Sequence, residues 1–273
     1  MPASPVVLSV PHAGREYSPA LLRASRLPIE KLEALEDRLV DRLVWRAAAA
    51  GVPAIIAKSP RAEIDLNRDE REIDPLTVAP PPPSREVMQS ARTRGGLGLI
   101  PSRIAGAGSI WLHRTPQDEV RRRLDQVYRP YHEALEQALG QARTAFGIAI
   151  LLDCHSMPPR STRSGGEAEL VFGDCHGTSI VPELLDAAIG AARREGFSTA
   201  CNAPYAGGYI TSRHGRPAAD IHALQLEIDR SLYLADDLRS PGPGFDRVAR
   251  LIAAIAAALA ERATGSGLPI AAE

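Results

Sequence analysis

The chain has 273 residues, 44% of them hydrophobic, with 32 Lys and Arg against 33 Asp and Glu for a formal net charge of -1. That size and composition bury a full core, which excludes disorder, and charges of both signs scattered along the chain leave no basic footprint for nucleic acid. The start, Met1 to Pro5, lacks the regions of a signal peptide, no segment is apolar for the length of a membrane span, and three cysteines without C-x-x-C spacing fit a reduced cytoplasmic protein of one domain, residues 1–273.

Taken in order, Val6–Val10 is an apolar run that ends at Pro11-His12-Ala13-Gly14, a strand with a sharp exit. Residues 29–50 are expected to form one helix, since Pro28 suits a first turn, Leu32, Leu35, Leu39, Val40, Leu43 and Val44 make an apolar stripe, and Gly51 closes it. Asp37 and Asp41 lie off that stripe, one turn apart. Residues 53–57 read as a second strand and 62–66 as a third, ending in Asp65-Leu66-Asn67-Arg68-Asp69, where acid, amide and guanidinium crowd together. Residues 70–101 are rich in Pro, Gly and Arg, with prolines at 80 to 83, and exceed what a connection needs; a mobile flap without regular structure is expected there. The glycines at 95, 96 and 98 lack the lysine and the strand-to-helix context of a phosphate loop. Thr115-Pro116-Gln117-Asp118 starts a helix that should run to residue 144 with a kink at Pro130.

Residues 147–156 concentrate the chemistry: the apolar run Ile148 to Leu152 leads directly into Asp153, Cys154, His155 and Ser156. Such a run is a central strand covered on both faces, and ligands collect at the carboxyl ends of such strands. Val6–Val10 has the same design, so two strands each deliver an imidazole to what can be one edge. Beyond lie a polar loop at 158–166, a strand at 168–172, a helix at 181–194, an extended stretch at 198–201, a glycine-hinged strand and turn at 207–217, an alternating strand at 221–228 and an alanine-rich helix at 245–262. Strands and helices alternate, so the class is α/β with a parallel or mixed sheet.

Of the seven histidines, His113 and His132 fall in or near the long helix, and His176 and His222 suit structural positions. His12 and His155 stand at strand ends. Two imidazoles and one carboxylate, with a fourth position open, is the usual composition of a catalytic zinc site; the spacing here leaves the third ligand open.

The segments Ser9 to Gly14, Asp37 to Leu43, Ile64 to Arg68, Tyr128-Arg129-Pro130-Tyr131-His132, Leu152 to Ser156, Gly207 to Thr211 and His214 through Glu227 resemble, in the same order and over nearly all of the chain, those of the N-formylglutamate amidohydrolases. That family is similar in fold to the zinc carboxypeptidases and aspartoacylase. The resemblance therefore implies a mixed, largely parallel sheet flanked by helices, zinc-carboxypeptidase-like (phosphorylase/hydrolase-like). It implies one Zn2+ per chain, or another divalent metal in its place, with His12 and His155 as ligands. The carboxypeptidase-type glutamate three residues after the first histidine is Arg15 here; the resemblance implies as third ligand Asp37, which falls at the acid shared with more distant relatives, with Asp41 in reserve. Asn67 and Arg68 match the pair that holds a substrate carboxylate, a task that suits the planar fork of a guanidinium. By the same resemblance Arg61 stabilises the oxyanion, Glu227 is the general base and acid, and Arg213, His214 and Arg216 shape the substrate pocket. The implied activity is cytoplasmic, zinc-dependent hydrolysis of the formyl amide of N-formyl-L-glutamate to formate and L-glutamate, a step of histidine degradation. Deacylation of another N-acyl amino acid, or carboxylate binding without catalysis, are the alternatives. The expected partner is a small molecule, with neither nucleic acid nor membrane involved.

Overall fold

A computed structural model describes residues 2–160 and 168–265. The chain forms two compact units, one of Met1–Val10, Leu39–Ile55 and Leu135–Glu273, the other of Pro11–Arg38 and Ile56–Ala134.

The first unit is built on a six-stranded sheet. Its strands are β1 (Val6–Val10), β2 (Ala54–Ile56), β3 (Ala149–Met157), β4 (Leu170–Gly173), β5 (Thr199–Cys201) and β6 (Ile221–Asp229), in the order β2-β1-β3-β6-β4-β5. β1 and β6 flank β3 in parallel, β4 pairs antiparallel with β6, and β5 is parallel to β4. The sheet is therefore mixed and largely parallel. Every residue of β3 and of β6 is buried, so the polar residues that alternate along β6 face protein instead of solvent. Register puts Ser9 opposite Asp153, Gln225 opposite Asp153, and Glu227 opposite His155. Because opposed residues share a face, two polar rows cross the sheet near the carboxyl ends of its central strands.

Helices α1 (Arg129–Phe146), α2 (Pro182–Arg194), α3 (Tyr209–His214) and α4 (Phe245–Thr264) accompany this sheet in the chain. α2 and α4 pack on each other, with Leu184, Ala188 and Ala191 of one and Val248, Ile252 and Ile255 of the other buried, and α4 also contacts β1. α3 lies against β3 and β6. Residues 207–217 were expected as a strand and turn, and the helix there is set by its start: Gly207 has φ 119, and a Cβ on it would stand 2.8 Å from both Cys175 Sγ and Thr211 Oγ1. The Gly208 N–H donates to Thr211 Oγ1 at 2.9 Å, and that cap outweighs the extended preference of Tyr209-Ile210-Thr211.

The expected helix over 29–50 is also corrected. It is broken into Ile29–Leu32, a 3-10 turn at Glu33–Leu35, and, after a gap at 36–39, Val40–Leu43 and Trp45–Ala49. The whole apolar stripe is buried as read. What the period misses is the gap, where Leu39 takes the left-handed conformation with φ 62 and the Asp37 N–H donates to His12 O at 2.9 Å.

The second unit carries two short ladders, Val78–Ala79 with Thr115–Pro116 and Arg103–Ile104 with Gly108–Ser109. Residues 62–66 form turns instead of the expected strand, since the Asp65 carboxylate accepts the Asn67 N–H at 2.9 Å and bends the backbone back on itself. The long helix starts at Gln117, one residue later than expected, and in place of a simple kink it passes through a π turn at Leu124–Tyr128. Pro130 removes an N–H and crowds the preceding turn, and the wider turn accommodates it. Residues 70–101 are not devoid of structure: they include a helical turn, Ala91–Arg94, and Ser90 Oγ donates to Glu72 Oε2 at 2.6 Å. Leu99 donates to Glu72 O and accepts from Asp65 N at 2.7 and 2.8 Å, pinning both ends of the segment. The loop expected at 158–166 lies outside the described residues from 161 onward.

Candidate active site

On the sheet, His155 is 3% exposed and Asp153 fully buried. His155 Nε2 donates to Asp153 Oδ2 at 2.9 Å, since a carboxylate can only accept. Ser9 Oγ donates to the other oxygen, Asp153 Oδ1, at 2.6 Å. On the neighbouring strand, Gln225 Nε2 donates to Glu227 Oε1 at 2.9 Å. His214, on α3, is buried in the field of Asp153; burial first, then the Arg213 charge, push its pKa down from 6.5 to about 4, so it is neutral near pH 7. Arg213 pairs with Glu136 of α1 at 3.0 Å and stacks on Tyr209, while Arg216 is exposed with its backbone paired to Ile221.

In the second unit the centre is Asp65, a residue without an expected role. It is fully buried and accepts from His12 Nε2 at 2.8 Å, Arg61 Nε at 2.9 Å and its own Asn67 N–H, with Arg68 Nη2 at 3.7 Å. Burial alone would raise its pKa, but Arg61, Arg68 and His12 outweigh that and hold it well below the usual carboxylate range. Arg68 is 4% exposed; its Nε donates to Leu97 O at 2.8 Å and its Nη1 to Asn67 O at 2.6 Å. Leu97 therefore takes the only Nε hydrogen, which restricts a two-pronged grip on a carboxylate to the Nη1/Nη2 end.

Three side chains of the long helix hold this turn by its carbonyls: Arg123 Nη1 donates to Glu63 O at 2.8 Å, His132 Nε2 to Leu66 O at 3.1 Å and Tyr128 Oη to Arg68 O at 2.7 Å. The carbonyls on either side of Asn67 are thus both fixed. Gly14 has a similar positional role after His12: a Cβ there would stand 2.1 Å from Ser59 O, so only glycine lets residues 58 and 59 pass.

His12, Asp37 and His155, all buried, each offer one ligand atom, and these atoms lie within 4.8 Å of one another. They form a possible metal-binding triad; Asp41 is not part of it. The donor set can be tested on His12 alone. Its Nε2 is committed to Asp65, so its Nδ1 is the basic nitrogen, and this stands 3.5 Å from Asp37 Oδ2. Two acceptors facing each other repel unless a cation lies between them. Ligands at about 2.0–2.1 Å in a tetrahedral centre stand about 3.3 Å apart, a spacing that the His12–Asp37 pair comes close to.

The sequence profile of a family described as N-formylglutamate amidohydrolase matches residues 4–234, through both units. The N-formylglutamate deformylase of Pseudomonas putida is 30% identical over 239 residues, 85% of this chain and 82% of that one; its namesake in Pseudomonas aeruginosa is 29% identical over 239 residues, 84% and 82%. The crystal structure of N-formylglutamate amidohydrolase from Ralstonia eutropha JMP134 superposes with a TM-score of 0.88 at 34% identity, covering 96% of this chain and 94% of that one.

Proposed function

Since the chain belongs to the N-formylglutamate amidohydrolase family, we propose that it hydrolyses the formyl amide of N-formyl-L-glutamate, giving formate and L-glutamate, with one zinc ion held by His12, Asp37 and His155. The observation that carries this reading is the cluster of two buried histidines and one buried carboxylate whose ligand atoms lie within 4.8 Å of one another. Bound there, zinc would polarise the formyl carbonyl and make water a stronger acid.

The remaining work falls to the protein's own groups. Glu227, beside His155 in register, takes a proton from the attacking water and delivers it to the leaving amine as the C–N bond breaks. Gln225 holds Glu227 Oε1 and so presents Oε2 to the water. Arg61, anchored on Asp65, faces the developing oxyanion, and the Nη1/Nη2 end of Arg68 with the Asn67 amide grips a substrate carboxylate. Arg213, Arg216 and the neutral His214 are assigned to substrate binding. In this reading residues 1–273 act as one domain, in the cytoplasm, on a product of histidine breakdown.

Formate and acid release from N-formyl, N-acetyl and N-succinyl amino acids, measured on zinc-loaded protein, tests the proposal. N-formylglutamate should be the best substrate by at least tenfold in kcat/KM. Faster release from an N-acetyl or N-succinyl compound would reassign the substrate, and no release from any of them would overturn catalysis.

A further inference from the structure

In the row of polar side chains one step behind His155, Ser9 and Asp153 have no part in the reaction as derived above. Ser9 comes from β1, Asp153 from β3 and Gln225 from β6, and they lie opposite one another across three adjacent strands. A carboxylate at the centre of a sheet, fully buried, is costly unless every lone pair is answered. Here the answers are specific. Ser9 Oγ donates to Oδ1 at 2.6 Å, and His155 Nε2 donates to Oδ2 at 2.9 Å. A methyl-bearing side chain at either place would fill the same volume at lower cost, so the polar row calls for an explanation other than packing.

We propose that Asp153 is a positioning residue: held by Ser9, it locks His155 as the Nε2–H tautomer, so that Nδ1 is the nitrogen offered to the metal, and it raises the basicity of that nitrogen. The inference rests on the zinc reading above and adds to it a device for one ligand. The geometry allows a histidine ring to present either nitrogen only after a flip or a proton shift. A fixed acceptor at Nε2 removes both freedoms before the metal arrives. Outer partners of this kind typically contribute 10–100-fold in metal affinity. The lock is rigid because Ser9 and Asp153 are bonded across two strands whose backbones are already paired. A free carboxylate on a loop would follow the ring; this one cannot.

The proposal separates Asp153 from a merely structural buried acid. Asp153→Asn keeps the size and one acceptor but loses the charge, and its amide can turn so that it donates to Nε2 and favours the wrong tautomer. Ser9→Ala leaves the charge and releases the lock. Zinc affinity would be measured by competition with a chelating dye for the parent and both variants, alongside thermal melting of the metal-free proteins and 15N spectra of their histidine rings. We expect Asp153→Asn to bind zinc 10–100-fold more weakly and Ser9→Ala several-fold more weakly, with His155 losing its uniform Nε2–H signature in Asp153→Asn. Parent-like affinity in Asp153→Asn, with the parent binding zinc, would overturn the positioning role and leave the zinc reading standing. A parent that binds no zinc would overturn both. Weakened affinity in Asp153→Asn with an unchanged Nε2–H signature in both variants would reduce Asp153 to a charge effect and overturn the lock.

Discussion

Asp65 shows how much one side chain can organise. It accepts from His12 and Arg61 and pairs with the Arg68 charge at 3.7 Å, and its pKa is held well below the normal range by them. Asp65→Asn should cost about 3–5 kcal/mol, the range for breaking a buried ion pair from one side, because two guanidinium groups lose their counter-charge. Urea denaturation of the metal-free protein checks this, and a loss below 1 kcal/mol would deny Asp65 that role. Since its folded pKa is depressed, its contribution is present above the unfolded value of about 3.9 and is lost as pH falls through the lower folded one. His214 gives an earlier acid effect. Its pKa falls from 6.5 to about 4 on folding, so the unfolded chain takes up the proton first and stability drops between those two pH values, by up to about 3 kcal/mol. Melting of the metal-free protein at pH 7 and 4.5 should show a smaller difference in His214→Gln than in the parent; equal differences would place the acid sensitivity elsewhere. At Glu227 the expectation is kinetic: Glu227→Gln should keep zinc and lower kcat roughly a hundredfold or more, and near-normal turnover would remove it from the chemistry. These residues were legible in unequal degree. The two histidines announced themselves at strand ends, while Asp65 and Asp153 lay in full view without a role, because spacing shows which groups are near in sequence and not which donors converge on them.

Among the elements, the central strands were the clearest. β3 and β6 are runs of buried residues whose pattern follows from being covered on both faces. Two of the failures share one cause, a side chain bonding to nearby backbone: Asp65 turns residues 62–66 away from a strand, and Thr211 caps a helix where an extended stretch was expected. Within residues 29–50, whose apolar period is helical, a distant backbone bond runs from the Asp37 N–H to His12 O. Hydrophobic period registers neither kind of bond. The grip of the long helix on the Asn67 turn makes a testable case. Tyr128→Phe leaves the buried carbonyl of Arg68 without its donor, which should cost about 1–3 kcal/mol in urea denaturation. If that carbonyl helps to aim Arg68, KM for N-formylglutamate should rise more than kcat falls while zinc affinity stays at the parent value. A fall in zinc affinity of equal size would mean that the turn supports the ligands generally.

For the molecule as a whole, metal and fold should be linked by mass action. An ion that binds only the folded chain, present at a hundred times its Kd, stabilises by about 2.7 kcal/mol. For a protein of this length that is a rise of roughly 5–10 °C in Tm. Stripping with a chelator should lower Tm by that amount and zinc should restore it, whereas His155→Ala should melt alike with and without the ion. Identical melting of stripped and loaded parent would contradict a site made of buried ligands.

The π turn at Leu124–Tyr128 sets a phase. Arg123, Tyr128 and His132 are spaced five and four residues apart, yet all three reach carbonyls of one turn. In an unbroken α-helix five residues would leave Arg123 about 140° around the axis from Tyr128. The one surplus residue works like a vernier, bringing a third grip into line that α-helical pitch would point elsewhere. Removing Gln126 would therefore mistune the helix without altering any residue that meets substrate or metal: Arg123 would be carried away from Glu63, and the turn bearing Asn67 and Arg68 would be held at two places instead of three. A chain so shortened should still fold and still bind zinc, but it should hold its substrate loosely.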